Sequence, residues 1–183
     1  MPDDVDGCLA CDLTAGRQTL PGGAIFEADG WLLEHCIGPL GVGAMIVKPR
    51  RHVERFVDLS PAEYGAFGRL VWLATVALRE LLSPDQTYVC QWAHAGWTPG
   101  HIHFLIQPAW DRDSEKHASP GPFLQVDLFN ANETPPADEV EAFCARVCEV
   151  IRQLVVSTGT SVSLPDRLPP SPAYGRGGQG VRA

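Results

Sequence analysis

The feature that most constrains the fold is a helix that the sequence marks clearly from Ser60 onwards. Ser60 offers a hydroxyl N-cap, Pro61 takes the first helical position and Glu63 the third, which is the pattern of a capping box. Apolar residues then recur at helical spacing, at Phe67, Leu70, Val71, Ala74, Leu78 and Leu81. Strand-like segments precede and follow this helix through short connections, so the sequence predicts an α+β domain with a mainly antiparallel sheet.

About five strands and a second main helix are predicted in all. Segments rich in apolar residues and β-formers predict strands at residues 24–27, 30–35, 44–48, 87–91 and 100–108. The dipeptide Asp29-Gly30 predicts a tight hairpin between the first two. Apolar residues at helical spacing predict the second main helix over residues 136–156.

The domain organisation follows from the distribution of apolar residues. We expect a loose N-terminus over residues 1–7, a folded domain over 8–110, and a loop followed by a packed helix over 111–157. Within the third of these, residues 111–122 are polar and contain prolines, so they predict the loop. Residues 158–183 are rich in proline and glycine and predict a disordered tail.

Charge and composition exclude some classes of function. The formal net charge is −8, which argues against a broad nucleic-acid footprint, although a local pocket could still bind a small phosphorylated ligand. No run of apolar residues is long enough to span a membrane, and the first residues lack the pattern of a signal peptide. We therefore expect a cytoplasmic protein whose six cysteines are thiols, metal ligands or core residues.

Two histidines one residue apart, His101 and His103, predict a functional site. The segment around them reads as a strand, and side chains two apart on a strand point to the same face of the sheet. Imidazole can act as a nucleophile, a proton carrier or a metal ligand near neutral pH. Two surface histidines on a half-exposed strand would be the alternative interpretation.

The pair Cys8-x-x-Cys11 predicts half of a metal site. Two thiolates at this spacing can bind one ion from a tight turn, and His52 and His101 would complete a closed Cys₂His₂ zinc site that stabilises the fold. A redox pair and two unrelated thiols are the alternatives, although no βαβ unit precedes the motif as in thioredoxin-like proteins.

Taken in order, these motifs resemble those of the histidine-triad nucleotide-binding superfamily, including its galactose-1-phosphate uridylyltransferase branch. The resemblance covers about residues 8–110 and rests on four features in the chain's order. They are Cys8-x-x-Cys11, the segment from Val47 to His52, Phe56-Val57-Asp58-Leu59 before the capped helix, and Ala95-Gly96-x-Thr98 before His101-Ile102-His103.

The resemblance implies a role for several residues. It makes His103 the nucleophile, and it makes Cys8, Cys11, His52 and His101 the zinc ligands of the zinc-bearing members. Gln91 and Thr98 fall at positions near the phosphate, and backbone N–H groups of the loop from Gly96 to Gly100 could bind the developing oxyanion. It also implies a homodimer that binds a small-molecule nucleotide.

The implied activity is that of a hydrolase or nucleotidyltransferase. Such an enzyme would cleave a phosphoanhydride or phosphoramidate bond through a nucleotidyl-histidine intermediate, as in a dinucleoside polyphosphate hydrolase. The third triad position, however, is Leu105, which can neither donate to phosphate nor protonate a leaving group. Gln107, two residues further along the same face, is a possible replacement. The alternatives are a nucleotide-binding module with little turnover and a zinc hydrolase with an open coordination position.

Overall fold

Five strands form one antiparallel sheet in the computed structural model, which describes residues 4–93, 99–117, 119 and 122–159. The strands are β1 (Ala24–Ala28), β2 (Trp31–His35), β3 (Met45–Pro49), β4 (Gln86–Trp92) and β5 (His103–Ala109). Their order across the sheet is β1-β2-β3-β5-β4, and every neighbouring pair is antiparallel. The prediction of an α+β fold with an antiparallel sheet of about five strands is confirmed.

Five α-helices accompany the sheet within the described residues. They are α1 (Leu9–Thr14), α2 (Pro61–Leu82), α3 (Asp111–His117), α4 (Pro122–Ala131) and α5 (Ala137–Thr158), with a short 3-10 helix at Phe56–Asp58. The two main helices that the sequence predicts are α2 and α5, of 22 residues each. None of the helices in the described ranges is both long enough and apolar enough to cross a membrane.

The main core lies between the sheet and the two long helices. Apolar side chains of α5 such as Phe143 and Ile151 share one buried cluster with Leu70 of α2 and with Trp31 and Ile106 of the sheet. Burial of apolar surface on this scale is the main stabilising contribution to a domain of this size. The helix predicted to pack on the domain is therefore an integral part of its core.

The N-terminus of α2 is fixed as the capping box predicts. Glu63 N donates to Ser60 Oγ at 3.3 Å, and Ser60 N donates to Glu63 Oε2 at 2.7 Å. The guanidinium of Arg51 also binds both carboxylate oxygens of Glu63, at 2.8 and 2.7 Å, and this lowers the pKa of Glu63 to about 2. The segment after β3, which carries His52, is thereby tied to the start of α2.

The predicted hairpin between β1 and β2 turns at Asp29 and Gly30. Both residues have positive φ angles, 51° and 79°, as the common two-residue hairpin turn requires. Arg69 of α2 pairs with the Asp29 carboxylate, so the turn is held against the helix.

The prediction of a loop over residues 111–122 is wrong for most of that range. Asp111–His117 forms α3, and α4 begins at Pro122. The prediction rests on polar side chains and prolines, whereas tertiary contacts stabilise helices here. Asp85 Oδ2 accepts from the Asp111 N–H at 2.9 Å, and Leu124 of α4 is fully buried. Of the predicted tail, Thr158 ends α5, and residues 160–183 lie outside the described residues.

The second face of the sheet carries a smaller apolar cluster. Leu105 of β5 and Ile46 of β3 pack there with Leu40 and Ala44, and Leu128 of α4 packs against them. Alternation along β5 places Phe104 and Ile106 in the main core and His103, Leu105 and Gln107 on this second face. The helix α4, which the sequence does not predict, therefore lies on the same face as His103.

Candidate functional site

Four predicted metal ligands come together in the structure. One ligand atom from each of Cys8, Cys11, His52 and His101 lies within 4.8 Å of all the others, and all four residues are buried. The Sγ of Cys11 is 3.5 Å from Nδ1 of His52 and 3.7 Å from Nδ1 of His101, and the Sγ of Cys8 is 3.6 Å from Nδ1 of His101. The two imidazole rings stand perpendicular, with their centroids 5.3 Å apart.

These distances fit a tetrahedral zinc ion. Zinc binds thiolate sulfur at about 2.3 Å and imidazole nitrogen at about 2.0–2.1 Å, which separates sulfur and nitrogen ligands by about 3.5 Å around a tetrahedron. The observed separations lie within a few tenths of an ångström of this value. Two thiols and two imidazoles form a closed set of the kind found at structural zinc sites.

The second nitrogen of each imidazole supports the same interpretation. His101 Nε2 lies 3.0 Å from the Pro49 carbonyl, which can only accept, so Nε2–H donates and Nδ1 is left unprotonated toward the cysteines. His52 Nε2 faces the Glu54 carboxylate at 3.6 Å. An outer acceptor that fixes the tautomer and the ring orientation is typical of metal-binding histidines.

Burial sets the protonation states of the cluster. It lowers the pKa of His101 to about 4, so this imidazole is neutral at physiological pH and available as a ligand. It raises the pKa of the Cys11 thiol to about 12, which favours the neutral thiol in the protein alone. A divalent cation between the four side chains would stabilise the thiolate instead.

A buried lysine positions the two cysteines. Cys8 is the N-cap residue of α1 and Cys11 lies within that helix. The Nζ of Lys48 in β3 donates to the Ala10 carbonyl at 3.0 Å and pairs with Glu34 of β2 at 2.8 Å. Both charged side chains are buried, so this ion pair joins α1 to the middle of the sheet.

His101 lies before the strand rather than within it. The prediction of a strand from residue 100 is wrong at its beginning, because β5 starts at His103. Backbone hydrogen bonds from His101 N to Ala93 O and from Ile102 N to Val53 O, both 2.7 Å, hold this segment instead. The two imidazoles are consequently not side by side on one strand face, and that of His101 turns to the cysteines.

His103 is oriented by the backbone of His101. Its Nδ1 lies 2.9 Å from the His101 carbonyl, so Nδ1–H donates and Nε2 carries the free lone pair. Burial lowers the pKa of His103, and the hydrogen bond to the His101 carbonyl opposes this shift. The side chain is only partly buried, which leaves a neutral imidazole with a nucleophilic nitrogen at the beginning of β5.

The two residues that follow His103 on this face contribute no free donor. Leu105 is buried in the smaller apolar cluster. The amide nitrogen of Gln107 donates to the carbonyls of Leu40 at 3.3 Å and Pro108 at 2.9 Å. The suggested replacement of the third triad residue by Gln107 is therefore at odds with the structure, because both of its donor hydrogens are engaged.

Only some of the predicted phosphate-binding residues lie within the described part of the chain. The strand register pairs Gln91 with Phe104, so the exposed side chain of Gln91 lies on the opposite face of the sheet from His103. The sheet register, which spacing alone does not give, therefore does not support the prediction that Gln91 binds the phosphate at His103. Gly100 is buried directly before His101, whereas Gly96 and Thr98 lie outside the described residues.

Other cationic and imidazole groups near these strands have structural partners. Arg50 pairs with Glu27 at 2.8 Å, and Arg51 is engaged by Glu63 as described above. Buried His35 donates from Nδ1 to the Cys36 carbonyl at 2.8 Å and accepts from Gly43 N–H at 3.0 Å, which closes the turn between β2 and β3.

The fold of the chain is that of known proteins. Its five-stranded antiparallel sheet with helices matches the fold of histidine triad proteins of known structure, and the chain also has a buried Cys₂His₂ cluster and an oriented histidine at the start of β5. The chain has the histidine-triad fold, and the resemblance predicted from its ordered motifs is confirmed.

Three findings carry this comparison, although no model of a known protein family matches the chain. An uncharacterised HIT-like protein of Methanocaldococcus jannaschii is 28% identical over 109 residues, which are 59% of this chain and 83% of that protein. A hypothetical histidine triad nucleotide-binding protein from Sulfolobus tokodaii superposes with a TM-score of 0.64 at 17% identity, over 83% of this chain and 97% of that one. A zinc-bound histidine triad family protein from Mycobacterium smegmatis superposes with a TM-score of 0.61 at 19% identity, over 82% of this chain and 97% of that one.

Proposed function

We propose that the protein is a nucleotide-binding hydrolase or nucleotidyltransferase that acts through a nucleotidyl-histidine on His103. The observation that carries this proposal is the orientation of His103, whose Nδ1–H is held by the His101 carbonyl so that Nε2 is free to attack. The Sulfolobus tokodaii neighbour is described as nucleotide-binding, which supports the same class of ligand.

The chemistry divides one difficult displacement into two steps. The Nε2 lone pair attacks the α-phosphorus of the nucleotide, the bond from phosphorus to the leaving group breaks, and the leaving group departs with the electron pair. Water then attacks the same phosphorus, the Nε2–phosphorus bond breaks, and a nucleoside monophosphate is released. Transfer to another phosphate acceptor would follow the same second step.

Leu105 favours a phosphoanhydride over a phosphoramidate as the bond that is cleaved. An amine leaving group needs a proton as it departs, whereas a phosphate leaves readily as an anion. Leucine at the third triad position cannot supply that proton, and the Gln107 donors are engaged by backbone carbonyls. A dinucleoside polyphosphate is therefore the preferred substrate class.

The four-residue cluster would hold a structural zinc ion. Its two cysteines and two histidines match zinc in donor type and spacing, and the Mycobacterium smegmatis neighbour is zinc-bound. Zinc held there would secure the segment from Gly100 to His103, because His101 is both a ligand and the carbonyl partner of His103. Four protein ligands fill a tetrahedral ion, so they disfavour a zinc hydrolase with a metal-bound water.

A labelled dinucleoside polyphosphate tests the proposal. Incubation with substrate carrying ³²P at the α-phosphorus, followed by alkaline denaturation, is expected to leave label on the tryptic peptide that contains His103. Histidine phosphoramidates survive alkali and are lost in acid, so brief acid treatment should release the label. Product formed without protein-bound label would contradict the covalent route. Nucleotide binding without product and without label would favour the binding module that Leu105 suggests.

We also propose that the chain forms a homodimer through the β4 edge of the sheet. The strand β4 is an edge strand, and Val89 on it is 42% exposed, while Phe123 and Phe129 on nearby α4 are 70% and 55% exposed. Exposed apolar groups beside an unpaired strand edge are typical of a protein interface.

Light scattering after gel filtration is expected to give about twice the chain mass of 19.8 kDa. A Val89→Lys variant should shift this value toward the monomer, because it places a charge on the pairing edge. Val57→Lys, at an 82% exposed position outside β4 and α4, is the matched control and should leave the mass unchanged. A monomeric wild type would contradict the proposal.

A further inference from the structure

A buried amide on α4 lies beside the strand pair that carries His103. Gln125 is 3% exposed, and its Oε1 accepts a hydrogen bond from Trp92 Nε1 at 3.2 Å. Its Nε2 has no hydrogen-bond partner within the part of the chain that the structure describes. An amide nitrogen that is buried and unpaired destabilises a fold, so its retention calls for an explanation.

The sheet register relates this amide to His103 through Trp92. Trp92, the last residue of β4, is directly paired with His103, the first residue of β5. Side chains of directly opposite residues in an antiparallel pair share one face of the sheet, and Leu128 of α4 packs on that same face. The indole of Trp92 therefore holds the Gln125 amide on the same side of the sheet as the His103 imidazole.

The amide also supplies what the neighbouring positions lack. A phosphate oxygen that gains charge in the reaction needs a donor, and Leu105 offers none. Gln107, the other buried glutamine of this face, donates to two backbone carbonyls and keeps only an acceptor, Oε1, unpaired. Gln125 has the opposite arrangement, because its acceptor is bound by Trp92 and its two donor hydrogens are unpaired.

We infer that Gln125 donates its side-chain amide to a non-bridging phosphate oxygen of the nucleotide bound at His103, in place of the missing third triad residue. The inference rests on the proposed function and adds a phosphate-binding residue from a helix outside the predicted motifs. It identifies α4 as part of the binding site as well as a cover for the sheet.

Calorimetric titration with matched ligands tests the assignment. The probes are the 5′-monophosphates of adenosine and guanosine and the two unphosphorylated nucleosides. Gln125→Leu removes the donor, and Gln125→Glu keeps an acceptor for Trp92 but puts an anion where the donor was. Both are expected to weaken monophosphate binding about tenfold or more, with Gln125→Glu the weaker binder, while nucleoside affinity changes less than about twofold.

Gln107→Leu is the matched control, because it removes a buried glutamine from the same face. It should lower the melting temperature through its two lost backbone contacts and leave the preference for monophosphate over nucleoside unchanged. If both Gln125 variants keep the wild-type preference, the assignment of Gln125 is overturned and the proposed function stands. If the wild type itself binds no nucleotide, the assignment of Gln125 and the proposed function are both overturned.

Discussion

Cys8→Ser is expected to abolish stoichiometric zinc binding and to cause the largest loss of stability of any single substitution considered for this chain. The purified wild type should contain about one zinc per chain, because its four ligand atoms already lie at tetrahedral separations. Serine is a poor zinc ligand, and metal-binding free energy contributes directly to folding when the site forms only in the folded state. We expect the melting temperature to fall by about 10 °C or more, equivalent to about 3 kcal/mol for a domain of this size.

Elemental analysis and thermal melts with and without a chelator measure this effect. Chelation should lower the melting temperature of the wild type toward that of the variant, and it should leave the variant unchanged. Cys148→Ser is the matched control, since Cys148 is a half-buried thiol on α5 outside the four-residue cluster. A Cys8→Ser protein with full zinc content and an unchanged melting temperature would exclude the structural site.

Local signals explain which parts of this architecture could be predicted from the sequence. The capping box at Ser60 and the hairpin at Asp29-Gly30 depend on residues close together in the chain, and both form as predicted. The four-residue cluster could be predicted because Cys-x-x-Cys has a fixed geometry, and because the ordered motifs of the chain resemble those of zinc-bearing proteins that add two histidines. The sequence therefore indicates the ligand types, and the fold brings them together from the beginning of α1, the segment after β3 and the segment before β5.

What could not be predicted depends on contacts distant in sequence. Gln91 is one residue from Trp92, and only the pairing of β4 with β5 shows that Trp92, not Gln91, shares a face with His103. The buried pair of Lys48 and Glu34 looks like two ordinary surface charges in the sequence, yet it anchors the helix that carries the cysteines. Gln125 gives no signal at all, because its helix owes its stability to packing on the sheet.

His103→Ala is expected to reduce turnover of a dinucleoside polyphosphate at least about 10³-fold and to leave no alkali-stable label on the protein. The substitution removes the nucleophile itself, and the loss of a covalent nucleophile cannot be compensated by the contacts that bind the ligand. Binding of the nucleoside monophosphate should stay within about tenfold of the wild type, since the base and the phosphate keep their other partners. Steady-state kinetics and calorimetric titration on the same preparation separate these two quantities.

Two controls separate a lost nucleophile from a distorted site. The zinc content and the melting temperature of His103→Ala should match the wild type, because His103 is not one of the four cluster residues. Within the described residues, the hydrogen bond of its ring is to the backbone carbonyl of His101, not to a ligand atom. Free imidazole added to the variant should restore part of the turnover by occupying the space of the missing ring. Full turnover without His103 would mean that water attacks phosphorus directly, and the role of this strand would then be to bind the phosphate.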